Sequence, residues 1–121
     1  MEALLDSNFI ISCFKRKIDF ISQLKQQGFK PILPIEVFQE LKDLRFKLSH
    51  EDKIAVDIAL KFFENSKIKK MKLGNRSVDG GLIEKGKQGY YIATLDNAIR
   101  RVIPNKIVIS SAQNSLQVER R

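Results

Sequence analysis

Tyr90-Tyr91-Ile92-Ala93-Thr94-Leu95-Asp96 is an apolar run that stops at a hydroxyl and then an acid. Near the start of the chain, Ala3-Leu4-Leu5-Asp6-Ser7-Asn8 is a second apolar run that ends at an acid and a hydroxyl, in the opposite order. Neither run alternates apolar with polar, so each reads as a strand covered on both faces. Lys30-Pro31-Ile32-Leu33, Ile68 to Leu73 and Lys106 to Ile109 add three more strand candidates. Helical spacing fills the gaps between them. Asn8 to Cys13 opens a first helix, and Ile18, Phe20, Ile21 and Leu24 repeat at the helical period before Gly28. Val37, Phe38, Leu41, Leu44 and Leu48 form an apolar stripe behind Pro34, and Ile54, Ala55, Ile58, Phe62 and Phe63 form another after Ser49-His50-Glu51-Asp52. Strands alternating with helices predict an α/β fold with a mostly parallel sheet of about five strands. Asp79-Gly80-Gly81 predicts a helix that is short or mobile, because each interior glycine costs about 1 kcal/mol relative to alanine. Gln113 to Arg121 reads as a polar tail, so residues 1–112 are expected to be the domain and 113–121 an appendage.

Composition narrows the function. The 121 residues suit one domain, large enough to bury roughly two-thirds of the unfolded surface. No apolar run approaches the ~20 residues that cross a bilayer, and the opening stretch has no basic start or small-residue cleavage site. A cytoplasmic protein with no membrane partner is expected. One cysteine, Cys13, and one histidine, His50, exclude an internal disulfide, cysteine-based zinc sites and His-pair metal sites. The formal net charge is +8, which points to a polyanion such as nucleic acid.

The acids fall in a pattern. In an open α/β sheet, ligands bind beyond the carboxyl ends of the strands. Asp6 and Asp96 stand at two such ends, Glu40 lies in the helix after the second strand, and Asp79 lies in the helix before the strand that leads to Asp96. If the first and fourth strands are neighbours, the four carboxylates converge. Two carboxylates about 5 Å apart repel by roughly 3 kcal/mol at an effective dielectric of ~20, so convergence calls for a hard divalent cation or for protonation. Oxygen donors suit Mg²⁺ or Mn²⁺. Taken one at a time, Asp6, Asp79 and Asp96 also read as helix caps, and Glu40 as a solvated helix residue. Glu36, Asp43, Glu51, Asp52, Asp57 and Glu64 are assigned to the surface.

At this point the chain resembles the PIN-domain family of metal-dependent nucleases, which includes VapC-type toxins and rRNA-processing proteins. The resemblance rests on Leu4-Leu5-Asp6-Ser7-Asn8, on Pro34 to Leu41 with the second acid at Glu40, on Val78-Asp79-Gly80-Gly81-Leu82-Ile83, and on Tyr91 to Asp96 followed by Ala98-Ile99-Arg100-Arg101. It covers residues 2 to about 110. It implies a three-layer α/β/α fold and an Mg²⁺- or Mn²⁺-dependent endoribonuclease. Asp6, Glu40, Asp79 and Asp96 would be catalytic and hold the metal, and Ser7, Asn8 and Thr94 would orient ligands or water. Lys15, Arg16, Lys17, Arg76, Arg100 and Arg101 are candidate phosphate contacts, assigned by charge and loop position.

Three positions depart from the family pattern. Ser7 stands where threonine is usual, Gly80 where rRNA-processing relatives often carry a second acid, and Asn97-Ala98 supply no acid after Asp96. Three roles therefore stay open: a ribonuclease in rRNA processing, a catalytically inactive RNA- or ribosome-binding module, and a toxin with an antitoxin. RNA is the expected partner. A homodimer and an antitoxin or ribosome-assembly partner are further options.

Overall fold

Along β1 (Glu2–Leu5) successive side chains feed two different cores. Ala3 and Leu5 enter a large cluster with Phe9, Phe20, Leu33, Val37, Phe63 and Ala93, while Leu4 enters a second with Ile32, Leu82, Ile92 and Ile99. The two-residue period of a strand sends neighbours to opposite faces, so a continuous apolar run requires cover on both.

A computed structural model describes residues 1–120. After β1 come α1 (Ser7–Lys15), α2 (Phe20–Gln26), β2 (Lys30–Pro34), α3 (Ile35–Leu44), α4 (His50–Glu64), β3 (Lys69–Met71), α5 (Val78–Lys87), β4 (Tyr91–Ala93), α6 (Asn97–Arg100), β5 (Lys106–Ser110) and β6 (Ser115–Glu119). Helices α1 to α4 cover the larger core and α5 and α6 the smaller one, giving the expected α/β/α layering. The sheet order is β3-β2-β1-β4-β5-β6. Strands β3 to β5 in that order are parallel, and β6 joins antiparallel to β5. The expected neighbours are in place: β1 pairs with β4, with Leu5 opposite Ala93.

The sheet has six strands rather than about five, because part of the stretch read as a polar tail is a strand. Asn114 takes a positive φ of 52° at the turn. Ser115–Glu119 then folds back along β5, and Leu116 is 8% exposed in the larger core. Leu116 and Val118 alternate with polar neighbours, but two apolar positions in five residues are a weak period-2 signal, which is why the strand is hard to read in the sequence.

Helix α5 is also longer than expected, at ten residues. Its glycines are contact points. A Cβ at Gly81 would stand 2.8 Å from Leu73 Cβ, and one at Gly86 would stand 2.6 Å from Ile103 Cγ2. The propensity cost is offset by a closer approach of helix to neighbours. Helix α6, by contrast, is only four residues long. No helix among the described residues is long and apolar enough to cross a membrane. No interface stripe stood out in the sequence, yet along α4 Ile54, Ile58 and Phe62 remain 47%, 50% and 39% exposed at four-residue steps.

If β6 belongs to the fold, Leu116→Ala should cost about 2 kcal/mol, because it empties a buried position. Thermal unfolding followed by circular dichroism checks this, and an unchanged midpoint would return residues 115–119 to the status of a tail.

Candidate active site at the carboxyl ends of β1 and β4

Asp6 follows the last residue of β1 and is 3% exposed. Its backbone amide donates to the Ala93 carbonyl at 2.9 Å, which extends the β1–β4 ladder to the acid itself. One carboxylate oxygen caps α1 by accepting from Ser7 N at 2.8 Å. The other accepts from the Thr94 hydroxyl at 2.7 Å. The cap of α1 is therefore Asp6, the capping role its place after a strand allowed.

Three polar neighbours carry this order outward. Ser7 Oγ donates to Glu40 Oε1, joining α1 to α3. Asn8 Oδ1 accepts from Leu95 N at 3.1 Å, which ties the first turn of α1 to the segment after β4. Thr94 Oγ1, while donating to Asp6, accepts from Asp96 N at 3.1 Å. Asp96 in turn caps α6 through Ala98 N at 2.8 Å.

The electrostatics are those of a buried acid among other acids. Burial pushes the Asp6 carboxyl up from 3.8 to about 6, against the hydrogen bonds from Thr94 and Ser7. The negative charges of Glu40 and Asp79 push it the same way. Asp79 thus stands within electrostatic reach of Asp6, in the first turn of α5.

The predicted residues are therefore brought into one region, but not into a cage. Asp6 and Glu40 meet through Ser7, Asp6 and Asp96 through Thr94, and Asp79 acts on Asp6 through its field. Among the described residues, no group of three or more His, Cys, Asp or Glu side chains stands close enough to hold one metal ion.

The predicted phosphate contacts divide in two. Lys15 ends α1, about 12 Å along the helix from Ser7 at 1.5 Å per residue. It pairs with Asp52 at 2.6 Å. Arg16 donates to Asn114 Oδ1 at 2.8 Å and to the Ser111 carbonyl at 3.2 Å, holding the β5–β6 turn. Lys17 follows in the same turn with a φ of 56°. These three cations stand at the far end of α1 from Asp6, because the helix runs away from the site. Arg76 lies three residues before Asp79, and Arg100 and Arg101 follow Asp96 by four and five at the end of α6. Arg100 is shared between Asn97 Oδ1 at 3.3 Å and Glu119 at 3.6 Å.

Glu36 is the residue whose surface assignment the structure corrects. Its carboxylate accepts from Leu73 N at 3.0 Å and Gly74 N at 3.1 Å. Burial works against its charge, but the amides of Leu73, Glu36 itself and Gly74, with the Lys72 charge, hold its carboxyl below the usual range. Its spacing of four from Glu40 puts both acids on one face of α3, a signal present in the sequence.

No protein-family model matches the chain. Over 101 residues it is 30% identical to Ribonuclease VapC9 of Archaeoglobus fulgidus, a match spanning 82% of this chain and 73% of that protein. Its fold is similar to the solved structure of the PIN domain endonuclease Utp24, with a TM-score of 0.78 and 21% identity, covering 99% of this chain and 92% of that one. The chain belongs to the PIN-domain family.

Asp6 gives a pH prediction. With its folded value raised to about 6, the folded state holds the proton more tightly than the unfolded chain. The stability it contributes is complete below pH 3.8 and lost as pH rises through about 6. At 1.36 kcal/mol per unit the loss is about 3 kcal/mol. In buffer with chelator, the wild type should therefore unfold at a lower temperature at pH 7.5 than at pH 5. Asp6→Asn should flatten that slope, and equal slopes in both proteins would refute the assignment.

Proposed function

We propose that this protein is a PIN-type endoribonuclease that hydrolyses RNA phosphodiesters with the help of Mg²⁺ or Mn²⁺. The observation that carries this reading is Asp6. It is a nearly fully buried carboxylate at the junction of β1 and β4, facing the fields of two further acids, in a chain of net charge +8.

The donor set fits a hard cation. It consists of carboxylate and hydroxyl oxygens, and none of the causes acting on Asp6 is a lysine or arginine. Magnesium commonly binds through one or two carboxylates and keeps several waters, so it does not need a three-carboxylate group. Asp6 and Glu40, joined through Ser7, would hold the ion directly, and Asp79 and Asp96 would reach it through its waters. When bound, such an ion activates water and offsets the charge that develops on a phosphodiester during in-line attack. The chain's own groups prepare the site. Thr94 and the Ser7 amide fix both oxygens of Asp6, the Ser7 hydroxyl fixes Glu40, and Asn8 holds the backbone that leads to Asp96. Arg76, Arg100 and Arg101 supply positive charge around the acids and draw in the RNA backbone.

Cleavage in rRNA processing, or as a cytoplasmic toxin held by an antitoxin, are the two settings this activity supports. A homodimer across Ile54, Ile58 and Phe62 would cover the exposed face of α4. A second reading, an RNA- or ribosome-binding module that does not cut, draws on the absence of a three-acid group among the described residues and on Gly80.

Labelled single-stranded RNA, purified protein and added Mn²⁺ decide between them. Cleavage should appear with metal, vanish with chelator and be lost in Asp6→Asn. Ser7→Ala and Thr94→Val should each lower it by about 10–100-fold, the usual cost of removing a group that orients a ligand. Cleavage that survives in Asp6→Asn would place the chemistry elsewhere. RNA binding without cleavage, together with no calorimetric Mn²⁺ binding, would favour the non-cutting module.

A further inference from the structure

The stretch between β3 and α5 connects Glu36 to the first turn of α5, which carries Asp79, by direct contacts. Glu36 sits in the first turn of α3, one turn before Glu40. Both of its carboxylate oxygens accept from Leu73 N at 3.0 Å, and Oε2 also accepts from Gly74 N at 3.1 Å. Leu73, so held, is 5% exposed and packs in the smaller core with Leu82. Its Cβ lies 2.8 Å from where a Cβ on Gly81 would be, so its side chain lies directly on the first turns of α5.

The rest of the loop closes on the same turn. Gly74 takes a φ of +72°, which turns the chain just after the residues that Glu36 grips. Asn75 Oδ1 accepts from Ser77 N at 3.2 Å, and its amide nitrogen donates to Glu84 at 3.1 Å. Ser77 caps α5 through Gly80 N at 3.0 Å. A Cβ at Gly80 would stand 2.8 Å from Ser77 Oγ and 3.0 Å from Asn75 Oδ1, the two atoms that make these bonds. The Gly80-Gly81 pair is thus the surface on which the loop seats.

We propose that Glu36 is a positioning residue: by gripping Leu73 and Gly74 it sets where α5 begins, and so where Asp79 stands against Asp6 and Glu40. One helix, α3, then carries both an acid of the site and the clamp that registers another. Gly81 leaves the room in which the gripped Leu73 seats on α5, and Gly80 the room for Ser77 Oγ and Asn75 Oδ1. The consequence for cleavage rests on the ribonuclease reading; the clamp itself rests on the contacts alone.

Amide hydrogen exchange on metal-free protein tests the clamp. In Glu36→Ala, the Leu73 and Gly74 amides should exchange about tenfold faster or more, and the Gly80 and Gly81 amides should follow, while amides of β1 and β4 keep their protection. Glu36→Gln keeps an acceptor oxygen and should restore much of it. Gly81→Ala should press Leu73 away and speed exchange at Leu73 and Gly74 with Glu36 intact. In the cleavage assay, Glu36→Ala should lower kcat about tenfold at an unchanged KM, with partial rescue in Glu36→Gln. Faster exchange confined to Leu73 and Gly74, with Gly80, Gly81 and kcat unchanged, would reduce Glu36 to a loop tie and overturn the proposal. Should the wild type not cleave RNA, the ribonuclease reading fails and the exchange pattern still decides the clamp.

Discussion

The parallel pairing of β1 with β4 is the constraint on which the rest depends. It places residues 88 positions apart in hydrogen-bond contact, with Thr94 Oγ1 donating to Asp6. The Asp6 amide uses the Ala93 carbonyl, so the position of the acid is fixed by the ladder rather than by its own side chain. Asn8 and Leu95 repeat the link one step further out. Two other predicted acids are tied to this junction, Glu40 through Ser7 and Asp96 through Thr94, while Asp79 reaches Asp6 through its field.

Such a junction is electrostatically expensive. Asp6 is buried, and two further carboxylates act on it. The hydrogen bonds from Thr94 and Ser7 relieve only part of that cost, since the carboxyl still sits at about 6. A fold that held this acid for structure alone would gain by protonating or replacing it. The net charge of +8 thus contrasts with the negative field that Glu40 and Asp79 exert on Asp6. On the proposed ribonuclease reading, that contrast would suit a polyanion that arrives with a divalent cation.

Much of the architecture was legible because it follows from short-range rules. The unbroken apolar runs at Ala3 to Leu5 and Tyr91 to Ala93 required cover on both faces, and the two cores supply it. Ser49 caps α4, accepting from Asp52 N at 3.4 Å, as its Ser-x-x-Asp pattern implied. Where reading failed, a distant partner had overridden a local preference. Gly80, Gly81 and Gly86 lower helix propensity, yet α5 forms because Leu73 and Ile103 need the space that a side chain would fill. Ser115–Glu119 looks like a tail, yet β5 offers it an edge. Glu36 looks like a solvated first-turn acid, yet two amides 37 and 38 residues away turn to it.

The sequence by itself determined the α/β class, the positions of Asp6 and Asp96 at strand ends, and the family resemblance, because strand period, helix period and motif order are local properties of a chain. Only the tertiary structure decided which acids meet and how. Asp6 and Glu40 share a serine, Asp79 acts at a distance, and Lys15, Arg16 and Lys17 are carried to the far end of α1. Those outcomes depend on where separate elements pack, and packing is set by side chains that lie far apart in the sequence.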